Sequence, residues 1–295
     1  MSGMDLHKVD RLPGVPDRPV DAHKGTFGTV IVVGGCATMI GAPALCAMAA
    51  FRAGPGLVKI AARREWLAPM LTIEPGATGI ERPSDAHQAV EAINKVDGDG
   101  SAVLAIGPGL GRDAQTPMLV EQLLRGRRDV VLDADGLNAL AARGRPRPRV
   151  VDGALVMTQH HGEFRRLAGA LAIEHDPTDP AQRPAAAAAL ARACGAVVLL
   201  KGHHTIVSDG QRVYENQSGN PALATAGSGD VLTGLIAALL AQQVDAFDAA
   251  MLGAHLHGLA ADAWAHDHGP SGMRAVDLAN LLPDAFAAHR AQRSP

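Results

Sequence analysis

The segment Asn220-Pro221-Ala222-Leu223-Ala224-Thr225-Ala226-Gly227-Ser228-Gly229-Asp230-Val231-Leu232-Thr233-Gly234 holds the residues whose types and spacing most invite chemistry. Gly227 and Gly229 flank Ser228 directly before an apolar run with Val231, Leu232, Leu235, Ile236, Leu239 and Leu240 on one helical face. A glycine turn at a helix N-terminus aims several unpaired backbone N–H groups at one point, and the dipole adds to their field. Gly227, Ser228 and Gly229 therefore form a candidate anion hole. Asp230 admits two readings. As structure it is an N-cap or first-turn acid, stabilising the helix by about 1 kcal/mol. As function it is a carboxylate held beside a bound phosphate, where it can deprotonate an attacking hydroxyl.

Other phosphate and hydrolase patterns are missing. There is no G-x-x-x-x-G-K-[ST], no G-x-S-x-G and no H-E-x-x-H. Gly107-Pro108-Gly109-Leu110-Gly111 is spaced G-x-G-x-G, which poorly supports a dinucleotide turn. Of the 13 histidines, His160-His161 and His203-His204 are adjacent pairs. His255 and His257 are two apart, which does not place them on one helix face.

The elements that must position these groups alternate. Short apolar runs at Thr29–Val33, Leu57–Ala61, Ala102–Ile106, Val130–Asp133, Leu155–Met157 and Val197–Leu200 read as strands buried on both faces of a parallel sheet. Helical patterns occupy Ala42–Arg52, Asp85–Lys95, Gln115–Leu124, Leu137–Ala142 and Ala185–Cys194, the last stopped by Gly195. Asp209-Gly210 between Thr205–Ser208 and Gln211–Glu215 signals a two-residue β-hairpin. Helices follow at Asp230–Gln242, Ala246–Ala265 and Val276–Ala288. Five strand ends carry Gly or polar residues: Gly34-Gly35, Gly107–Gly111, Asp133 with Asp135, Thr158–Glu163 and Lys201-Gly202. Singly each fits an ordinary turn, but jointly they point to one crevice at the carboxyl ends of the strands.

A length of 295 residues allows two domains. The only shift in composition, at Arg143–Arg149, is too short for a linker, so one domain competes well with two. Apolar residues at 47% with a net charge of −3 exclude a disordered chain, and the missing basic excess weighs against nucleic acid. Three scattered cysteines, Cys36, Cys46 and Cys194, fit free thiols in a reducing cytoplasm. No signal peptide and no span long enough for a bilayer is found, so no membrane role is expected. Aromatics are only 3%, so a bound base cannot be sandwiched between rings throughout.

The ordered motifs bring a family into view. His23-Lys24-Gly25 with Gly28, Val32-Val33-Gly34-Gly35 through Met39, Gly41-Ala42 and Arg52–Val58 come first. Ile106–Gly111, Leu132–Asn138, Thr158–Glu163, Leu200–Thr205, Asn220–Gly234 and His257-Gly258 follow. Over residues 23 to 285 the chain resembles the ADP-dependent NAD(P)H-hydrate dehydratases. The resemblance implies a ribokinase-like α/β fold, a mostly parallel central sheet flanked by helices on both faces. It implies a catalytic domain over residues 23–290 after an N-terminal extension over residues 1–22. It also implies a hydro-lyase that restores hydrated NADH or NADPH, its (S)-epimer, while splitting ADP to AMP and phosphate, with Asp230 taking the hydroxyl proton. Ala42, Gly109, His160 and Asp230 are expected around the hydrated dinucleotide. Lys201, Gly202, His203, His204, Thr205 and Gly229 are expected around the adenine nucleotide. Glu163 is expected to support Mg²⁺ through water. The family's usual prolines are replaced by Gln159 and His161, and Ala226 and Ser228 depart from its glycine segment. A homo-oligomer, tetrameric by family likeness, and a separate hydrate epimerase as functional partner are implied too. A ribokinase-like small-molecule kinase and a non-catalytic nucleotide sensor are the competing readings.

Overall fold

A computed structural model describes residues 6–144 and 153–293 of the chain. In chain order the elements begin with β1 (His7–Lys8), β2 (Thr29–Val33), α1 (Gly41–Ala53), β3 (Leu57–Ala62), α2 (Arg64–Ile73), β4 (Thr78–Glu81) and α3 (Ala86–Val96). Next come β5 (Val103–Ile106), α4 (Thr116–Leu124), β6 (Val130–Leu132), α5 (Ala134–Ala142), β7 (Leu155–Gln159) and α6 (His161–Leu171). The rest are α7 (Arg183–Cys194), β8 (Val197–Leu200), β9 (Ile206–Ser208), β10 (Arg212–Glu215), α8 (Ser228–Ala241), α9 (Ala246–His268) and α10 (Ala275–Arg293).

All ten strands join one sheet in the order β1-β10-β9-β8-β7-β6-β5-β2-β3-β4. Every pairing is parallel except those of β9, which runs against β8 and β10. The short apolar runs explain this. Along β2, Val30 and Val32 enter one core while Ile31 and Val33 enter the other, all fully buried. The first core is covered by α1, α8, α9 and α10, the second by α3 to α7. The α/β class with helices on both faces is therefore as the sequence indicates.

One reading of local structure is revised. The hairpin loop is not two residues long. Ser208 pairs with Val213, leaving residues 209–212 in the turn. The Asp209 carboxylate accepts from the amides of Gln211 (2.9 Å) and Arg212 (2.6 Å), so a side chain supplies the turn bonds in place of a tight backbone turn. Within the N-terminal extension over residues 1–22, the described part pairs β1 parallel to β10, and Pro13 offers its carbonyl to His289 Nε2 of α10 at 2.9 Å. Of the Arg-Pro stretch at 143–149, residues 145–149 lie outside the described residues.

Helix α8 packs closely on α1, and a glycine makes that possible. A Cβ on Gly234 would lie 2.0 Å from the Cys46 carbonyl oxygen. Gly234→Ala gains about 1 kcal/mol of helix propensity. Overpacking against backbone costs ~1–3 kcal/mol and outweighs it. The expected result is a melting temperature lower by several degrees, measured by calorimetry, with an unchanged far-ultraviolet circular dichroism spectrum.

Candidate active site

The site is built where the carboxyl ends of β2, β5, β6, β7 and β8 meet the N-terminus of α8. Gly227 precedes that helix with φ +88°, and a Cβ there would meet Ala275 and Leu45 at 2.9 and 3.0 Å. Glycine is thus required on both counts. The Ser228 hydroxyl donates to the Leu223 carbonyl at 2.9 Å, closing the loop that precedes the helix. Small Ala226 and a bonded Ser228 therefore keep the turn shut. The Nε2–H of His257, on α9, donates to the Ser228 carbonyl at 2.9 Å. Burial holds that imidazole neutral, its pKa pushed down to about 4.

Beneath the turn lies a buried ion pair. Asp133, 2% exposed at the end of β6, accepts from Lys201 Nζ at 2.9 Å and from Thr233 Oγ1 at 2.8 Å. Thr233 lies one helical turn after Asp230, so Asp133 ties the first turns of α8 to the end of β8. The residue after it, Ala134, has φ +47°, a conformation seldom taken outside glycine, so this turn holds local strain. Burial works against the Lys201 cation, yet Asp133 and then Glu163 hold its pKa above the usual value. Burial, reinforced by Asp133 and opposed by Lys201, pushes the Asp230 carboxyl up to about 7. Such a group sits at the midpoint between acid and base near neutral pH, the condition a general base needs.

Glu163 is occupied locally. Its Oε2 accepts from the His160 amide at 2.9 Å, while His160 Nδ1 accepts from Gly162 N at 2.9 Å, a reciprocal cap on α6. Since Nδ1 accepts, the ring proton is on Nε2, which lies 3.2 Å from Glu163 Oε1. Burial pushes the Glu163 carboxyl up to about 7, with Lys201 opposing and Asp133 adding to the rise. Burial, with Lys201 and Arg166 nearby, holds His160 below its usual pKa. His161 occupies the first helical position, where proline is tolerated but not needed once the cap is made. Among the described residues no three His, Cys, Asp or Glu side chains gather as a metal site. Both Glu163 oxygens already face His160, which does not favour direct ligation there.

The start of α8 borders a cavity on one side, and the turn after β5 packs on α1 close by. A cavity of about 550 Å³ is lined by Lys201, Gly202, His203, His204, Thr205, Ser228 and Gly229, together with Asn216, Ser218 to Pro221 and His257. Every residue expected around the adenine nucleotide thus borders one space. On the other side, Gly109 approaches α1 so closely that a Cβ would lie 2.6 Å from Met39 O and 3.1 Å from the Ala42 Cβ. Ala42 and Gly109 are therefore neighbours, at the point where the chain switches direction between β2 and β5. Open α/β sheets place ligand crevices at such a switch. His160 joins the charged cluster from β7 through its interactions with Lys201 and Asp133. Sequence reasoning did not find Thr233 or the Asp133–Lys201 pair. A lone hydroxyl on an apolar helical stripe, three residues after Asp230, was the available signal.

A mostly parallel sheet with a glycine turn at the start of α8, a buried carboxylate beneath it and a cavity beside it defines a ribokinase-like protein. The family model described as NAD(P)H-hydrate dehydratase matches residues 30–284, and the chain belongs to that family. An ADP-dependent (S)-NAD(P)H-hydrate dehydratase of Neisseria meningitidis is 41% identical over 248 residues, 83% of this chain and 80% of that protein. A bifunctional NAD(P)H-hydrate repair enzyme of Moorella thermoacetica is 44% identical over 286 residues, covering 91% of this chain. The chain spans about half the length of such bifunctional relatives, 51% in that case. The crystal structure of an ADP/ATP-dependent NAD(P)H-hydrate dehydratase from Bacillus subtilis, co-crystallised with ATP and Mg²⁺, superposes with a TM-score of 0.79. It is 27% identical and covers 94% of this chain and 95% of its own.

Proposed function

We propose that this chain dehydrates the (S)-epimer of hydrated NADH and NADPH, using ADP and releasing AMP and phosphate. The observation that carries the reading is Asp230. Its carboxyl, with a pKa pushed up to about 7, stands in the first turn of α8, close to the Lys201–Asp133 pair and to the cavity at Lys201 to Thr205. ADP occupies the cavity at Lys201 to Thr205, with its β-phosphate at the Gly227–Gly229 amides. The hydrated ring enters past Ala42, Gly109 and His160. Asp230 removes the hydroxyl proton as that oxygen attacks the β-phosphorus, and the bond to the bridging oxygen of AMP breaks. Hydroxide leaves poorly, but the phosphate ester so formed leaves readily. Its carbon–oxygen bond then breaks, the neighbouring carbon loses a proton, and the ring double bond returns.

The helix amides and the Lys201 cation are fixed before the reaction, so charge developing on the transferred phosphoryl group meets aligned donors. Mg²⁺ accompanies ADP in this reading, held by phosphate oxygens and water as suits a hard cation, with Glu163 reaching it only through water. The reading extends to a cytoplasmic homo-oligomer, a tetramer, and to a hydrate epimerase as partner. Among the described residues no helix is long and apolar enough to cross a membrane.

Incubating the protein with hydrated NADH, Mg²⁺ and either ADP or ATP tests the reaction. Near-ultraviolet absorbance of NADH is expected to reappear with release of AMP from ADP. A stable phosphorylated metabolite as the end product would instead indicate a kinase, and no turnover with any nucleotide would overturn the reading.

A further inference from the structure

The loop between β8 and β9 borders the cavity through Lys201 to Thr205, and a side chain outside that cavity grips it. Arg183, the first residue of α7, is 7% exposed and does not line the cavity. Its Nη1 donates to the His203 carbonyl, and its Nη2 donates to the carbonyls of Leu200 at 3.0 Å and Lys201 at 3.4 Å. The Gly202 carbonyl accepts from Thr205 Oγ1 at 3.0 Å. Four successive loop carbonyls are thus engaged by side chains. The amides of Gly202, His203 and His204 make no hydrogen bond among the described residues, so the loop keeps free donors beside the cavity.

Neither the helix nor an ion pair accounts for Arg183. A cation in the first turn meets the positive end of the helix dipole, where it is unfavourable. Its Nε is buried without a partner, and among the described residues its other nitrogens meet only carbonyls. Burying a guanidinium is costly unless its donors are used, and here the loop is what uses them. The loop is shaped around it in turn. Gly202 has φ +146°, and a Cβ there would lie 2.9 Å from Arg183 Nη2 and 3.1 Å from His161 Nε2. His204 has φ +53°, a conformation that residues other than glycine seldom take and that surrounding contacts must sustain.

We infer that Arg183 is a positioning residue for the adenine nucleotide, holding the Lys201–Thr205 loop in the conformation that binds it. The inference rests on the reading of that cavity as the ADP site. One planar fork serves three carbonyls, a geometry that a lysine ammonium does not reproduce. Without it the loop spreads over other conformations, and apparent affinity falls by the fraction that stays competent. Bound ADP selects the competent loop, so the rate at saturation is little changed.

The test measures ADP affinity by calorimetric titration, together with kcat and the KM values for ADP and hydrated NADH. The proteins are the wild type, R183Q, R183K and R192Q. Arg192 is the control, since it lies on the same helix and donates to the Gly210 carbonyl in the hairpin turn at 2.5 Å. R183Q is expected to weaken ADP by roughly ten- to a hundredfold in both Kd and KM, with kcat at saturating ADP and the KM for hydrated NADH within about threefold of wild type. R183K keeps the charge without the fork and is expected to lose about fivefold or more, so it carries the test if R183Q does not fold. Unchanged ADP affinity in the Arg183 variants would overturn the inference, as would a matching loss in R192Q or an equal loss of affinity for hydrated NADH. If the wild type binds ADP but turns over no hydrated NADH, the reaction at Asp230 fails while the titration still decides Arg183. A wild type that binds no ADP overturns the assignment of the cavity and the inference together.

Discussion

Asp230→Asn is expected to bind ADP and to lose turnover by about 10²–10⁴-fold, the range over which a positioned base accelerates proton transfer. Asparagine keeps the size and the first-turn position but cannot accept the hydroxyl proton. Equilibrium binding of ADP beside steady-state rates with hydrated NADH checks both halves, and near-normal turnover would remove Asp230 from the mechanism. The wild-type pH profile carries the same assignment. A base with its pKa pushed up to about 7 is protonated below that pH, so kcat/KM is expected to rise through neutrality and level off above it. Stability runs the other way. The folded carboxyl binds its proton more tightly than the unfolded one, whose ordinary value is 3.8, so folding loses stability as pH rises from about 4 through about 7. Linkage at ~1.4 kcal/mol per pH unit sets a ceiling of about 4 kcal/mol on that loss. Asp230→Asn should therefore melt higher than the wild type above pH 7, and the advantage should vanish towards pH 4. A variant that is inactive yet more stable separates loss of the base from loss of the fold.

Lys201→Met carries the second large effect. Removing one member of a buried pair strands the other charge, and such losses are about 3–5 kcal/mol. Asp133 is the stranded partner, and among the described residues only Thr233 would still donate to its side chain. Thermal unfolding is expected to drop by on the order of 10 °C. The cation also lowers the pKa of both Asp230 and Glu163. Its loss should move the rising limb of any residual activity to higher pH. Lys201→Met combined with Asp133→Asn removes the stranded charge, so stability should largely return while activity does not. If the double variant melted no higher than the single one, the ion pair would not be the source of the loss.

The alternation of apolar strands with helices was readable because buried parallel strands leave continuous hydrophobic runs, as Thr29–Val33 and Val197–Leu200 do. Helix α2 escaped because Pro69 lies inside it and only Met70 is buried, so neither breaker nor periodicity signals a helix. Strand β4 escaped for a related reason. It is an edge strand, Thr-Gly-Ile-Glu, with Ile80 alone facing inward. Helix α6 begins His-Gly-Glu directly after His160, which reads as a strand-end loop until the His160–Glu163 cap is seen. At the site, the glycine turn and Asp230 were visible because local chemistry fixes them. The Asp133–Lys201 contact joins residues 68 apart, and Asp133 meets Thr233 across 100. Such partners are decided by sheet order, which no local pattern encodes.

Burial of α8 on all sides has a dynamic consequence. From Val231 to Ala241 every residue is buried, so the helix lacks a solvent face from which to fray or pivot. Segments that open locally are those with few buried contacts and exposed backbone bonds. Asp230 and the amides beside it, themselves half-buried, are thus joined directly to the part of the molecule that yields last. Any motion that admits or releases ligands must belong to the surrounding loops, at Gly202 to Thr205 and at Gln217 to Ala224, while the reacting groups keep their relative positions through each turnover.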